Sequence, residues 1–85
     1  MHYRIVLEKA AEKYIRRQDR ESQERILKVI KSLPPQHGMK KLKNFDSYFR
    51  VRVGDVRIIF SKDDKNLIIR IIAIGPRGQV YREIK

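Results

Sequence analysis

The chain has 85 residues, which is one small domain with room for one compact core. It has no cysteine, so disulfides, thiolate chemistry and cysteine-based zinc sites are excluded. Twenty-one basic against ten acidic residues leave a net charge of +11 at pH 7, spread over both halves. That balance asks for an anionic partner, either nucleic acid or an acidic protein.

No apolar run approaches the roughly 20 residues of a membrane span. Met1 to Glu8 is too short for the apolar region of a signal peptide, so a cytoplasmic protein with no membrane partner is expected. Tyr3 to Leu7 alternates as a short strand, with Tyr3, Ile5 and Leu7 on one face. Glu8 to about Arg17 reads as a helix whose apolar stripe is Leu7, Ala10, Ala11, Tyr14 and Ile15. Asp19 is the candidate N-cap of a second helix running to about Ser32. Ile26, Leu27, Val29, Ile30 and Leu33 give that helix a buried face, and Pro34-Pro35 stop it. The short link predicts an antiparallel helical hairpin packed on the core face of a sheet.

Gln36 to Ser47 is expected to be a loop, with Leu42 and Phe45 turned into the core. It carries Lys40, Lys41 and Lys43, which are either solvated or form a basic rim that touches phosphates. Strands are expected at about 48–53, 56–62 and 67–75. Gly54-Asp55 suits a two-residue type II′ hairpin turn, because glycine tolerates positive φ at the first central position. That turn pairs Val53 with Val56, Arg52 with Arg57, Val51 with Ile58, Arg50 with Ile59 and Phe49 with Phe60. Side chains alternate along a strand. Phe49, Val51, Val53, Val56, Ile58 and Phe60 therefore share the core face, and Tyr48, Arg50, Arg52 and Arg57 share the other. A turn at Asp63-Asp64-Lys65-Asn66 would pair Lys62 with Leu67, Ile58 with Ile71, Ile59 with Arg70 and Arg57 with Ile72. Leu67, Ile69, Ile71 and Ala73 would then join the core face, and Ile68, Arg70, Ile72 and Ile74 the arginine face. Pro76 to Lys85 is expected to be a short extended tail or one helical turn.

The expected fold is α+β: one domain over residues 1–85, in the order β-α-α-β-β-β. A helical hairpin packs on one face of a small, mainly antiparallel four-stranded sheet. Its second face collects cations on an apolar floor. Arg52 opposite Arg57 is a repulsive pair, tolerated either on an open solvated face or where a ligand or partner supplies anions.

His2 and His37 are far apart and have no ligand-like partners, Asp63-Asp64 is a turn signal, and no phosphate-binding glycine loop is present. No metal or other cofactor is expected. Arginine and tyrosine remain, and they can cleave RNA. The ribose 2′-hydroxyl is the nucleophile, and the protein need only align it and stabilise charge on the phosphoryl oxygens. Arginine's planar fork suits the second task but makes a poor general base. A tyrosine must be perturbed to act as a base.

The helical hairpin, Lys40-Lys41-Leu42-Lys43, the Tyr48–Phe60 hairpin and the ending Gly75-Pro76-Arg77-Gly78-Gln79-Val80-Tyr81 occur in one order. In that order the chain resembles the RelE/ParE toxin superfamily, on the RelE side, over nearly its whole length. The resemblance implies a RelE-like fold and a ribosome-dependent mRNA endonuclease. Such an enzyme cuts A-site mRNA by 2′-hydroxyl attack and is neutralised by a cognate antitoxin. It carries catalytic roles onto Arg50, Arg52, Arg57, Arg77 and Tyr81. Arg77 would be the leaving-group acid or transition-state stabiliser. Tyr81 would activate or orient the 2′-hydroxyl, or stack on the base. Lys40, Lys41, Lys43 and Arg70 are the further RNA-binding candidates, and Arg70 could instead meet an antitoxin acid. The implied partners are an acidic antitoxin, the ribosome with its rRNA and mRNA, and operator DNA only through the antitoxin complex. Two rival readings stay open: a ParE-like gyrase inhibitor and a non-catalytic nucleic-acid-binding domain.

Overall fold

The computed structural model of the chain describes residues 3–33, 40–41 and 48–76. Strand β1 (Arg4–Leu7) leads into helices α1 (Lys9–Arg16) and α2 (Arg20–Lys31). Strands β2 (Lys40–Lys41), β3 (Tyr48–Val53), β4 (Val56–Asp63) and β5 (Ile68–Pro76) follow. The sheet order is β1-β5-β4-β3-β2. Only the β1–β5 junction is parallel. The α+β class and the β-α-α-β-β-β framework are as expected. A two-residue strand, β2, extends the sheet beyond the four expected strands. Lys40 pairs with Arg50 and Lys41 with Phe49, so this part of the expected 36–47 loop is sheet edge. Leu42 and Phe45 lie outside the described residues.

The helices form where the apolar spacing placed them. Ala11 and Ile15 from α1, and Ile26 and Ile30 from α2, are buried against the sheet. Asp19 is the N-cap residue of α2 but makes no side-chain capping hydrogen bond. The link between the helices is tied by Gln23, whose Nε2 donates to the Ile15 carbonyl at 2.9 Å and to the Gln18 carbonyl at 3.1 Å. The Ile15 carbonyl, in the last turn of α1, also accepts from the Gln18 N–H at 3.1 Å. At the other end of α1, the Glu8 N–H donates to the Ile71 carbonyl of β5 at 2.9 Å, which fixes the strand-to-helix turn on the sheet.

The core lies between the helices and one sheet face. Ile58, Phe60, Ile69 and Ile71 are completely buried there. Phe49 and Phe60, paired across the ladder, hold their ring centroids 5.8 Å apart. Burying a side chain of this size contributes about 2–3 kcal/mol.

The β3–β4 register is the expected one at all five pairs, from Phe49–Phe60 to Val53–Val56. Gly54 has φ +61°, and Asp55 does not share the positive φ, as a type II′ turn requires. The β4–β5 register differs from the expectation. Asp63 pairs with Ile68, Lys62 with Ile69, Ser61 with Arg70 and Phe60 with Ile71. The connection is therefore the four residues 64–67, and Leu67 stands in the turn at φ +55° rather than in the strand. Asp63 organises this turn. Its carboxylate accepts from the Lys65 and Asn66 N–H groups, each at 3.0 Å, and from the Asn66 amide at 2.8 Å.

A second difference follows further along the same ladder. Ile59 pairs with Ala73 while its neighbour Phe60 pairs with Ile71, so Ile72 is an extra residue, a β-bulge. Beyond it Ile58 pairs with Ile74 and Arg57 with Gly75. The bulge exchanges the faces expected for two residues. Ile74 joins the helix-covered core, and Ala73 joins Ile59 on the opposite face.

Candidate nucleic-acid interface

The face away from the helices is built in rungs, because laterally paired residues point the same way. The rung nearest the hairpin turn is Arg52, Arg57 and Gly75. The next is Arg50, Ile59 and Ala73, with Lys40 in register beside Arg50. The third is Tyr48, Ser61, Arg70 and Val6. Successive rungs lie about 7 Å apart, and strands about 4.8 Å. Arg50, Arg52 and Arg57 therefore stand within about 8 Å of one another, close enough to engage the same or adjacent phosphates. The Arg52–Arg57 pair places two like charges directly opposite each other, which opposes folding.

Ile59 and Ala73 are completely buried in the second rung, with Tyr48 and Ile72 packed against them. The apolar floor expected from the sequence exists, but Ala73 rather than Ile74 completes it. Sequence pattern missed Ala73 because strict alternation assigned it to the core. Only the bulge turns it over. Lys40 was expected in a loop. Its pairing with Arg50 had no signal in the sequence, because lysine is depleted in strands and two residues are too few to show alternation.

Arg70 sits one rung and two strands away from Arg50. Its guanidinium is 4.0 Å from the Glu8 carboxylate, with both side chains about half exposed (50% and 46%). An ion pair so open and so long contributes little to stability. Asp63 and Ile68 occupy the far end of this face. Hydrogen bonds from the Asn66 side chain and N–H, with Lys65, hold the Asp63 carboxyl below its ordinary value of 3.8. On the opposite, core-side edge, Tyr3 donates to Asp64, and that bond raises its phenol above the ordinary 10.0. Lys62 also reaches Asp64, at 3.5 Å. Arg77, Tyr81 and Lys43 lie outside the described residues, and Lys40 and Lys41 are described only as backbone positions in β2. Among the described residues no three histidine, aspartate or glutamate side chains cluster as a metal site would need.

Fold and face together define a small basic α+β protein with a cation-rich sheet surface opposite its helices. Residues 5–81 match the model of the ParE toxin of type II toxin–antitoxin systems. The chain belongs to that family, within the RelE/ParE toxin superfamily. Several solved structures share the fold. The RelBE2 toxin–antitoxin complex of Mycobacterium tuberculosis aligns with TM-score 0.79 at 17% identity, covering 91% of this chain and 93% of that one. The archaeal RelE–RelB complex of Pyrococcus horikoshii aligns with TM-score 0.74 at 25% identity, covering 93% and 99%. A substituted E. coli RelE in the free state aligns with TM-score 0.78 at 19% identity, covering 98% and 94%. No curated protein matches the chain in sequence. No helix among the described residues is long and apolar enough to cross a membrane.

Proposed function

We propose that this toxin is a ribosome-dependent mRNA endonuclease that arrests translation. The observation that carries the reading is the gathering of Arg50, Arg52 and Arg57 on two adjacent rungs of the face opposite the helices. A phosphodiester laid across those rungs meets two or three guanidinium groups, whose forks match phosphoryl oxygens and oppose the charge that builds in the transition state. In the reaction the ribose 2′-oxygen attacks phosphorus in line and its proton is lost. The bond from phosphorus to the 5′-oxygen breaks, and that oxygen takes up a proton. The products are a 2′,3′-cyclic phosphate and a 5′-hydroxyl end. Arg77 is assigned to the leaving oxygen or to the developing charge. Tyr81 is assigned to the 2′-hydroxyl or to stacking on the base. Arginine is a poor proton acceptor, so the ribosome supplies much of the substrate alignment, and free RNA is a poor substrate. Lys40, Lys41, Lys43 and Arg70 contribute phosphate contacts around this centre.

The neutralising partner is an antitoxin with an acidic toxin-binding segment. Operator DNA is reached only through the resulting complex. The solved relatives described as toxin–antitoxin and RelE–RelB complexes support a partner of this kind. A second reading, gyrase inhibition, is favoured by the ParE description of the matching family. Primer-extension mapping of mRNA on programmed ribosomes separates the two. The nuclease reading expects A-site cuts with the wild-type chain and none with Arg77→Ala or Tyr81→Phe. Absence of cuts from a chain that still arrests growth and blocks gyrase supercoiling would reject it.

A further inference from the structure

A second cationic surface lies on the other side of the sheet, where α1 covers the core. Lys9, Lys13 and Arg17 follow one another at i, i+4 and i+8, so each is displaced about 6 Å along the helix from the last. They line a cleft of about 450 Å³ together with Ala10, Tyr14 and Ile74. Its floor is Ile74, the residue that the bulge turns to this side. Among the described residues that line it, three of six are cations and none is acidic. Among the described residues these cations make no ion pair. The nearby acids are engaged elsewhere, Glu12 with Arg16 at 2.7 Å and Glu8 toward Arg70.

We infer that this α1 cleft is a separate binding site for single-stranded or looped RNA. It holds the backbone with Lys9, Lys13 and Arg17 and packs a base against Tyr14 and Ile74. Two observations favour RNA over an acidic peptide. Acidic motifs are captured mainly by arginine clusters, whereas two of the three cations here, Lys9 and Lys13, are lysines. A basic track interrupted by an aromatic ring is the arrangement that binds single strands without base preference. The site extends the reading given above, that the chain acts on RNA. It lies across the sheet from Arg50, Arg52 and Arg57, so it holds a segment other than the one cleaved. A ribosome-dependent enzyme needs such a foothold, because its substrate is presented by a much larger RNA.

The test is fluorescence anisotropy of a short labelled oligouridylate with the full chain across a salt series. For Lys9→Gln/Lys13→Gln/Arg17→Gln, the slope of log affinity against log salt should fall by about 2, the share of three phosphate contacts on a single strand. The charge-matched control Lys28→Gln/Lys31→Gln/Lys65→Gln should change it by less than half as much. Tyr14→Phe should bind as wild type, and Tyr14→Leu about tenfold more weakly, with circular dichroism confirming the fold of each. Equal slopes for the two triple variants would overturn the inference. So would loss of oligoglutamate binding with RNA binding intact, which would assign the cleft to an acidic protein segment. Arg50→Gln/Arg52→Gln is read in parallel. Loss there alone rejects the cleft and leaves the function standing. Loss in the α1 variant alone rejects the arginine face as the RNA surface and leaves the cleft standing.

Discussion

Ile59 and Phe60 are neighbours in β4, both completely buried, and they face opposite ways. Phe60 enters a core that draws on both helices and four strands. Ile59 enters a patch shared with Ala73, Tyr48 and Ile72, in the rung that Arg50 also occupies. One face of the sheet is organised for burial. Among the described residues the other keeps a small apolar floor and sets two arginines opposite each other. A sheet that needed only stability would not place Arg52 against Arg57. The helix-covered face therefore supplies the folding free energy, and the other face holds cations in fixed geometry at some expense of it.

Four measurements sharpen or break that contrast. Phe60→Ala should have the largest effect, a loss of about 4 kcal/mol in urea unfolding, from lost transfer energy plus a cavity in the main core. Ile59→Ala should cost about 2 kcal/mol, near the lower end for an isoleucine truncation, because its smaller patch can close over the gap. Equal losses at the two sites would mean that the second face is as much a core as the first. Arg52→Thr should act in the opposite sense and stabilise by about 0.5 kcal/mol at low salt. That gain should shrink in high salt, where the repulsion is screened, and ribosomal cleavage should fall by at least tenfold. A variant that is both less stable and fully active would remove the case for a functional arginine pair.

The smallest effect concerns the β4–β5 turn. The Asp63 carboxyl is held below its ordinary value, chiefly by hydrogen bonds from Asn66. Its contribution is therefore present in full above the ordinary value of 3.8 and is lost as pH falls through the lower folded value. Urea midpoints taken from pH 6 down to pH 2.5 should fall less for Asp63→Ala than for the parent chain. Tyr3 works in the other direction. Its phenol is raised by the bond to Asp64, so its contribution holds below the ordinary tyrosine value and is lost as pH rises through the folded one.

Much of this architecture was local enough to read in the sequence. The 3.6-residue apolar spacing gave both helices to within about a residue of their observed ends. The two-residue turn at Gly54-Asp55 set the β3–β4 register, because so short a connection leaves one alignment. With that register came Arg50, Arg52 and Arg57 on one face, the centre of the proposed site. What tertiary structure alone decided has a common physical origin. Alternation reports which residues share a face, but neither the partner strand nor the presence of an extra residue. The four-residue turn at 64–67, with Leu67 in a left-handed conformation, moved the β4–β5 pairing by two positions and kept the faces. The Ile72 bulge then exchanged Ala73 and Ile74, which completed the floor of one surface and supplied the floor of the other. The parallel pairing of β1 with β5 joins residues some sixty positions apart (Arg4 with Ile68). It is settled only when the helices close the core above both strands.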